Sequence, residues 1–123
     1  MSDARRLVLA FNDCINARDV VGLASLMTDD HAFIDTEGNS VSGRGACLDA
    51  WRRFFSAFPD YRNTFEQLIE YDEIIVISGY STCADPRLSG PALWTAKVRD
   101  SRVAEWRVLE ENDAHRGSLG LTQ

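Results

Sequence analysis

The segment ALWTAKVRDSRVAEWRVLEE, residues 92–111, decides the fold class of this chain. Apolar and polar residues alternate on both sides of RDS, residues 99–101, which predicts two strands joined by a tight turn. One predicted face is apolar and carries Trp94, Ala96, Val98, Ala104, Trp106 and Val108. The other face is polar and carries Thr95, Lys97, Arg99, Glu105 and Arg107. This pattern is typical of an antiparallel sheet with one face covered and the other in water.

Outside this hairpin, helical periodicity dominates the first half of the chain and strand periodicity the second. Helices are predicted over residues 3–16, from Val20 behind an Asp19 N-cap, and over residues 45–58. Strands are predicted over residues 31–36, 61–71 and 74–83, with a short one near Val41. This order predicts an α+β fold with helices packed across one face of a mainly antiparallel sheet. At 123 residues and 45% hydrophobic composition, we expect a single domain over residues 1–123.

The charge of the chain argues against two classes of partner. There are 13 Lys and Arg residues against 19 Asp and Glu residues, which gives a net charge of −6. Nucleic acids and anionic membranes both attract basic surfaces, so we expect neither as a partner. The N-terminal segment MSDARRLVLAFNDC, residues 1–14, interrupts its apolar stretch with polar residues and therefore predicts neither a signal peptide nor a membrane span.

Cysteine and histidine are too few and too scattered to predict a metal site. The three cysteines, Cys14, Cys47 and Cys83, form no CxxC pair, which is typical of reduced thiols in the cytosol. The two histidines, His31 and His115, lie far apart in the sequence and give no zinc-binding spacing. We therefore expect a cytoplasmic protein that uses neither a metal nor a cofactor.

The segment HAFIDTEG, residues 31–38, contains the first candidate functional residue. Side chains of a strand alternate between its two faces, so Asp35 shares a face with Phe33 and His31. Either this face is in contact with water, or Asp35 lies at the mouth of an apolar cavity. The residues alone leave both interpretations open.

The predicted order of elements, α-α-β-β-α-β-β-β-β, resembles the nuclear transport factor 2-like, or cystatin-like, superfamily, and in particular its SnoaL-like polyketide cyclase branch. The matching segments span most of the chain and are LMTDDHAFIDTEG, SGRGACLDAWRRFFSAFPDYR, YDEIIVISGYSTC and KVRDSRVAEWRVLEEN. The resemblance implies a conical barrel, in which a curved, mainly antiparallel sheet wraps on the N-terminal helices and one central helix and encloses an apolar pocket.

A more distant resemblance to ketosteroid isomerases implies roles for particular residues. The segment DDHAFIDTEG is similar to the stretch of those enzymes that ends in the catalytic base, and this base falls on Asp35. The chain departs from them at Phe11, where they have a tyrosine, and at Trp94, where they have a second acid. The cyclase branch places an acid on the last strand, which falls on Glu110. A register shift of one residue would exchange its role with that of Arg107.

Together these observations predict cofactor-free acid–base chemistry on a small hydrophobic carbonyl compound, with Asp35 as the base and Glu110 assisting. The reaction would be an isomerisation, aldol cyclisation, dehydration or hydrolysis. The expected substrate-binding residues are Phe11, Phe33, Trp51, Phe55, Tyr80, Trp94 and Trp106. The alternative is a non-catalytic module of the same fold, which binds a small molecule or acts as a dimeric interaction domain. In both cases we expect a homodimer through the outer sheet face, at Thr95, Lys97, Glu105, Arg107 and Leu109.

Overall fold

The structure, a computed structural model, describes residues 2–121. Its helices are α1 (Asp3–Ala17), α2 (Val20–Leu26), α3 (Arg44–Ala57) and α4 (Asp113–Ser118). Its strands are β1 (Met27–Ile34), β2 (Ser40–Ser42), β3 (Arg62–Tyr71), β4 (Ile74–Thr82), β5 (Gly90–Arg99) and β6 (Arg102–Glu110). A short 3₁₀ helix, Pro86–Leu88, lies in the loop between β4 and β5. The predicted α+β order of elements is therefore confirmed.

All six strands form one sheet, in the order β2-β1-β6-β5-β4-β3. Within the described residues, neighbouring strands are antiparallel except for β1 and β6, which run parallel. The curved sheet is open, because β2 and β3 form its two edges. The structure thus confirms the predicted mainly antiparallel sheet and adds one parallel pair, between the second and third strands of the order.

Helix α1 begins and ends at residues suited to those positions. The Ser2 side chain accepts a hydrogen bond from the Arg5 backbone N–H, and Arg18 ends the helix in the left-handed region at φ 55°. Its buried face packs against β3, β4 and β6 and carries Val8, Phe11, Asn12 and Ile15. Burial of each large apolar side chain stabilises the fold by about 1.5–3 kcal/mol.

Helix α3 is the central helix and covers the other end of the same sheet face. It packs against β1 and β2, and its buried residues Cys47, Trp51 and Phe55 recur every fourth position. The second helix, α2, packs against both α1 and α3. Asp19 is its N-cap, as predicted, because the Asp19 carboxylate accepts a hydrogen bond from the Gly22 N–H. No helix described between residues 2 and 121 combines the length and apolar character needed to cross a membrane.

Two strands contain an extra residue that the alternation pattern did not reveal. In β6, Val103 pairs with Val98 and Glu105 pairs with Lys97, so Ala104 has no partner. The prediction that Ala104 lies on the apolar face is wrong, because this bulge shifts the alternation and places the fully buried Val103 in the core. In β3, Glu66 is the extra residue in the same sense. Both bulges bend the sheet around the helices.

The start of β1 also differs from the prediction. The strand was predicted from residue 31, but Thr28, Asp29 and Asp30 also belong to it, because Met27 already pairs with Val103 on β6. Asp35 then lies directly after the strand, at the start of the turn that leads to β2.

The outer face of the sheet carries a second apolar cluster. There Val76 on β4 and Leu93 on β5 pack against Leu119 and Leu121, two residues that come directly after the C-terminal helix α4. The predicted outer face is therefore not uniformly polar. Helix α4 covers Asp113–Ser118 near the end of the chain, and residues 122–123 lie outside the described residues.

Candidate functional site

A cavity of about 370 Å³ lies between α3 and the inner face of the sheet. This volume falls within the range of small-molecule sites, about 300–1,000 Å³. The lining is mostly apolar and consists of Phe33, Asp35, Thr36, Val41, Cys47, Ala50, Trp51, Phe54, Tyr61, Asn63, Leu88, Trp94, Trp106 and Val108. The cavity thus has a few polar side chains among aromatic ones.

Aromatic packing fixes the walls of this cavity. On the helix side, the Trp51 ring stacks on Phe55 at 5.3 Å between centroids and meets Phe33 edge-on at 5.8 Å. On the sheet side, the Trp106 ring stacks on Phe11 at 4.7 Å. Such contacts add about 0.5–1.5 kcal/mol per pair beyond the burial of area, so the walls are held in defined positions.

Asp35 lies in the lining and also stabilises the turn that follows β1. Its Oδ1 accepts hydrogen bonds from the backbone N–H groups of Glu37, at 2.9 Å, and Asn39, at 3.0 Å. Its own N–H donates to the Asn39 carbonyl oxygen at 2.9 Å. Within the described residues, Oδ2 accepts no hydrogen bond. Asp35 therefore caps a turn and also belongs to the lining of the apolar cavity.

Two tryptophans of the lining carry indole N–H groups without a partner. Nε1 of Trp51 and Nε1 of Trp94 are buried, and neither donates a hydrogen bond to any described residue. Trp94 is fully buried and comes from β5, whereas Trp51 comes from α3. An unmet buried donor costs about 1–3 kcal/mol, and an acceptor supplied from outside the fold would recover part of that cost.

A polar network reaches the cavity at the start of β3. The Tyr61 hydroxyl lies 3.2 Å from Ser81 Oγ, and Ser81 Oγ donates to Asn63 Oδ1 at 2.7 Å. Ser81 and Asn63 are buried, at 6% and 2% exposure, and burial raises the pKa of the Tyr61 phenol. Tyr61 and Asn63 are thus neutral hydrogen-bonding groups in an otherwise apolar wall.

Helix α1 holds the backbone of Asn63 at the free edge of the sheet. The Asn63 N–H donates to Asn16 Oδ1 at 2.9 Å, and the Asn63 carbonyl oxygen accepts from Asn16 Nδ2 at 3.0 Å and from Asn12 Nδ2 at 3.3 Å. These side-chain amides take the place that a further strand would occupy. They fix the position of Asn63, and with it one end of the Tyr61 network.

The cysteine and histidine nearest the site have structural contacts. Cys47 lines the cavity and its Sγ donates weakly to the carbonyl oxygens of His31 and Val41, while burial raises the pKa of the thiol. His31 is fully buried beside Phe11, and its ring contacts the Val103 carbonyl. A raised thiol pKa disfavours the nucleophilic thiolate, so this arrangement does not favour cysteine chemistry.

The structure brings five of the predicted site residues together. Those that line the cavity are Asp35, Phe33, Trp51, Trp94 and Trp106. Phe11 and Phe55 lie directly behind the wall, where they stack on Trp106 and Trp51.

Tyr80 and Glu110 lie outside the lining. Tyr80 is 39% exposed and shares a face with Val76, as the sequence indicated, but that face is the outer one. Glu110 is exposed at the end of β6, opposite Ala92, beyond the part of the strand that reaches the cavity. Arg107, the alternative at this strand, pairs with Thr95 on the outer side of the sheet.

The polar pair Tyr61 and Asn63 is the part of the site that sequence reasoning missed. Neither residue is among the substrate-binding residues expected from the sequence. One signal was present, because the two residues are two positions apart at the start of a strand and therefore share a face. The bulge at Glu66 obscured which face this is, since it reverses the alternation further along β3.

Three solved structures share this fold. A cystatin fold protein from Novosphingobium aromaticivorans has a TM-score of 0.77 at 17% identity, over 89% of this chain and 99% of that one. A candidate SnoaL-like polyketide cyclase from Shewanella putrefaciens CN-32 has a TM-score of 0.78 at 19% identity, over 98% of this chain and 87% of that one. A protein with a ketosteroid isomerase-like fold from Catenulispora acidiphila has a TM-score of 0.75 at 14% identity, over 94% and 93%.

At these identities the structural likenesses establish the fold and no more. No curated protein matches the chain in sequence. The family model described as a SnoaL-like domain matches residues 8–106, which include most of α1, all of α3 and most of the residues that line the cavity. The chain therefore belongs to the SnoaL-like domain family.

Proposed function

We propose that this protein is a cofactor-free acid–base enzyme that acts on a small hydrophobic carbonyl compound. One observation carries the proposal: Asp35, a carboxylate, and Trp94, whose buried indole N–H has no partner among the described residues, belong to the lining of the same apolar cavity. A base and a donor in one water-poor space are the two groups needed to form an enolate. The apolar walls would bind the hydrocarbon part of the substrate.

Asp35 would remove a proton from the carbon next to the carbonyl group. Its Oδ1 is held by the N–H groups of Glu37 and Asn39, which leaves Oδ2 as the oxygen that takes the proton. The electrons of the broken C–H bond move into the enolate, whose oxygen gains negative charge. The indole N–H of Trp94 would donate to that oxygen and stabilise it more as the charge grows. Where the substrate has a β,γ double bond, the enolate extends to the γ carbon, and return of the proton from Oδ2 to that carbon completes an isomerisation.

The remaining predicted residues enter the proposal in different ways. Phe33, Trp51 and Trp106 would contact the substrate, and Phe11 and Phe55 would support those contacts from behind. Glu110 has no step in this mechanism, because its exposed carboxylate lies outside the lining. The structurally similar protein from Shewanella putrefaciens is a candidate polyketide cyclase, which supports a carbonyl-rich substrate class.

Exchange of α-protons in D₂O tests this function without knowledge of the natural substrate. With 1-tetralone, an apolar bicyclic ketone, we expect the protein to accelerate loss of the C2 proton signal in NMR spectra. Asp35→Asn should abolish the acceleration, because the amide keeps the turn acceptor but cannot take a proton. Glu37→Gln, which neutralises an exposed acid of the same turn, is the matched control and should exchange at the wild-type rate.

Each result of this experiment bears on the proposal. Acceleration that survives in Asp35→Asn would contradict the role of Asp35. Binding of the ketone without any exchange would favour the alternative, a non-catalytic module that uses the same cavity. The exchange rate and the ketone affinity are therefore measured on the same samples.

We also propose a cytoplasmic location. Cys14, Cys47 and Cys83 are all free thiols, which fits a reducing compartment. Fractionation of cells that produce the protein should recover it with the cytosol, and recovery in a membrane or secreted fraction would contradict this.

A further inference from the structure

We propose that the Tyr61 hydroxyl oxygen accepts a hydrogen bond from a hydroxyl group of the ligand, so that the ligand of this cavity is a hydroxylated ketone. This inference rests on the proposed function for the carbonyl part of the ligand. The inference adds a second polar contact, in which Tyr61 accepts a hydrogen bond from the ligand, whereas the indole N–H of Trp94 donates one. Tyr61 and Trp94 both lie in the lining.

The direction of the network determines what Tyr61 offers to a ligand. Ser81 has one hydroxyl hydrogen, and it is donated to Asn63 Oδ1 at 2.7 Å. The contact between Ser81 Oγ and the Tyr61 hydroxyl, at 3.2 Å, must therefore use the hydrogen of Tyr61. With that hydrogen engaged, Tyr61 can only accept a further hydrogen bond.

The side chains of this network are held in place by burial and by contacts with neighbouring residues. Asn63 and Ser81 are buried, at 2% and 6% exposure, and Asn12 and Asn16 of α1 hold the Asn63 backbone. Tyr61 itself is held by Phe54, whose ring meets the Tyr61 ring edge-on at 4.8 Å between centroids. A polar group that is fixed on both sides selects ligands more sharply than a mobile one, since its own ordering is complete before binding.

The chemistry of the acceptor identifies the class of ligand. A second carbonyl or an ether oxygen at this position would bring two lone pairs together, and a hydrocarbon would leave the Tyr61 oxygen without a donor. A hydroxyl group donates to it. Trp94 lies on β5 and Tyr61 lies directly before β3, so the carbonyl group and the hydroxyl group of the ligand would meet different side chains.

Three matched ketones test the inference by isothermal titration calorimetry. They are 1-tetralone, 7-hydroxy-1-tetralone, which adds a donor, and 7-methoxy-1-tetralone, which adds an acceptor without a donor. We expect the hydroxy ketone to bind about three- to tenfold more tightly than the other two, the worth of one neutral hydrogen bond. In Tyr61→Phe the affinities for the three ketones should become similar, so the preference for the hydroxy ketone should disappear.

A second variant tests the direction of the network. Ser81→Ala removes the acceptor of the Tyr61 hydrogen, so Tyr61 becomes free to donate, and the ratio of hydroxy to methoxy affinity should fall. Tyr71→Phe is the matched control, because Tyr71 is an exposed tyrosine at the far end of β3, and it should keep the wild-type preference. Thermal unfolding of each variant confirms that the fold is retained before binding is compared.

The outcomes separate this inference from the proposed function. Equal affinity of the wild type for all three ketones would overturn the role of Tyr61 and leave the proposed function in place. Tighter binding of the methoxy ketone would show that Tyr61 donates, which also overturns the inference. Failure of all three ketones to bind would contradict the proposed function, and the inference would fall with it.

Discussion

His31 on β1 donates a hydrogen bond from Nδ1 to the carbonyl oxygen of Val103 on β6, across 2.7 Å. A carbonyl oxygen only accepts, so Nδ1 carries the hydrogen and the neutral ring has its lone pair on Nε2. Nε2 is buried and has no partner among the described residues, and the Phe11 ring lies 5.7 Å away. Protonation of His31 would thus place a second N–H in apolar surroundings.

This arrangement predicts that acid destabilises the fold through His31. Desolvation lowers the pKa of His31 below its ordinary value of 6.5, against the opposing effects of the Val103 hydrogen bond, Glu105 and Asp30. The unfolded chain binds a proton near that ordinary value and the folded chain binds it only at lower pH. The free energy of unfolding should therefore fall as pH decreases below about 6.5. Urea unfolding between about pH 7.5 and pH 5.5 measures the slope.

The variant His31→Asn separates this effect from other titrations. Its amide nitrogen can replace Nδ1 as the donor to Val103, but the side chain does not titrate. We expect lower stability than wild type at neutral pH, because a buried ring is lost, together with a flatter pH dependence. An unchanged slope in the variant would show that His31 is not the titrating group.

The effect of replacing Asp35 on the free energy of unfolding should depend on whether the new side chain keeps the hydrogen bonds of the turn. Asp35→Asn keeps an acceptor for the N–H groups of Glu37 and Asn39 and should stay within about 1 kcal/mol of wild type. Asp35→Ala removes both hydrogen bonds and should cost about 1–3 kcal/mol. Urea unfolding of both variants checks this, and equal losses would mean that the hydrogen bonds are not what Asp35 contributes.

Gly79 should be intolerant of any side chain. An added Cβ would lie 2.0 Å from the Thr64 carbonyl oxygen and 3.0 Å from Phe65 Cα, where β4 passes the bulge of β3. Gly79→Ala should therefore cost about 1–3 kcal/mol or more, since backbone atoms must move. Gly45→Ala in α3, where a Cβ meets nothing within 4 Å, should instead stabilise by about 0.4–1 kcal/mol. Similar effects of the two substitutions on urea unfolding would contradict this.

The protein should form a homodimer through the outer face of β5 and β6. There Lys97 pairs with Glu105 at 3.7 Å, and Arg107 lies beside them, which gives the mixed charges that suit a two-fold contact. Leu119 and Leu121 already cover the neighbouring apolar cluster, so the predicted contact between subunits would lie beside α4. Light scattering at high micromolar concentration should give twice the chain mass, and Lys97→Glu should reduce it. A monomeric wild type would contradict the prediction.

The sequence predicted the elements well because their periodicity is local. The hairpin of β5 and β6 showed its apolar face through Trp94, Ala96 and Trp106, and all three are buried in the core. The prediction was wrong at Ala104, because a bulge there shifts the alternation of β6 between the two faces of the sheet. Such a bulge depends on how two strands pair and bend together, and no residue within β6 signals it.

The candidate site was predicted less completely, for a related reason. Phe33 on β1 and Asp35, directly after that strand, both line the cavity, and the alternation of the sequence had placed them on one side. Tyr61 and Asn63 become functional groups only through contacts with Ser81 and α1, distant in sequence. Glu110 shares the alternation of Trp106 but lies beyond the cavity, since alternation gives the face and not the depth.

The indole N–H signal of Trp94 tests the central claim most directly. The chain has three tryptophans, so an NMR spectrum shows few indole signals, and Trp94→Phe identifies the one from Trp94. When 1-tetralone is added, this signal should move downfield as the N–H gains a carbonyl acceptor. A Trp94 signal that does not move while the ketone binds, or a ketone that does not bind, would contradict the account.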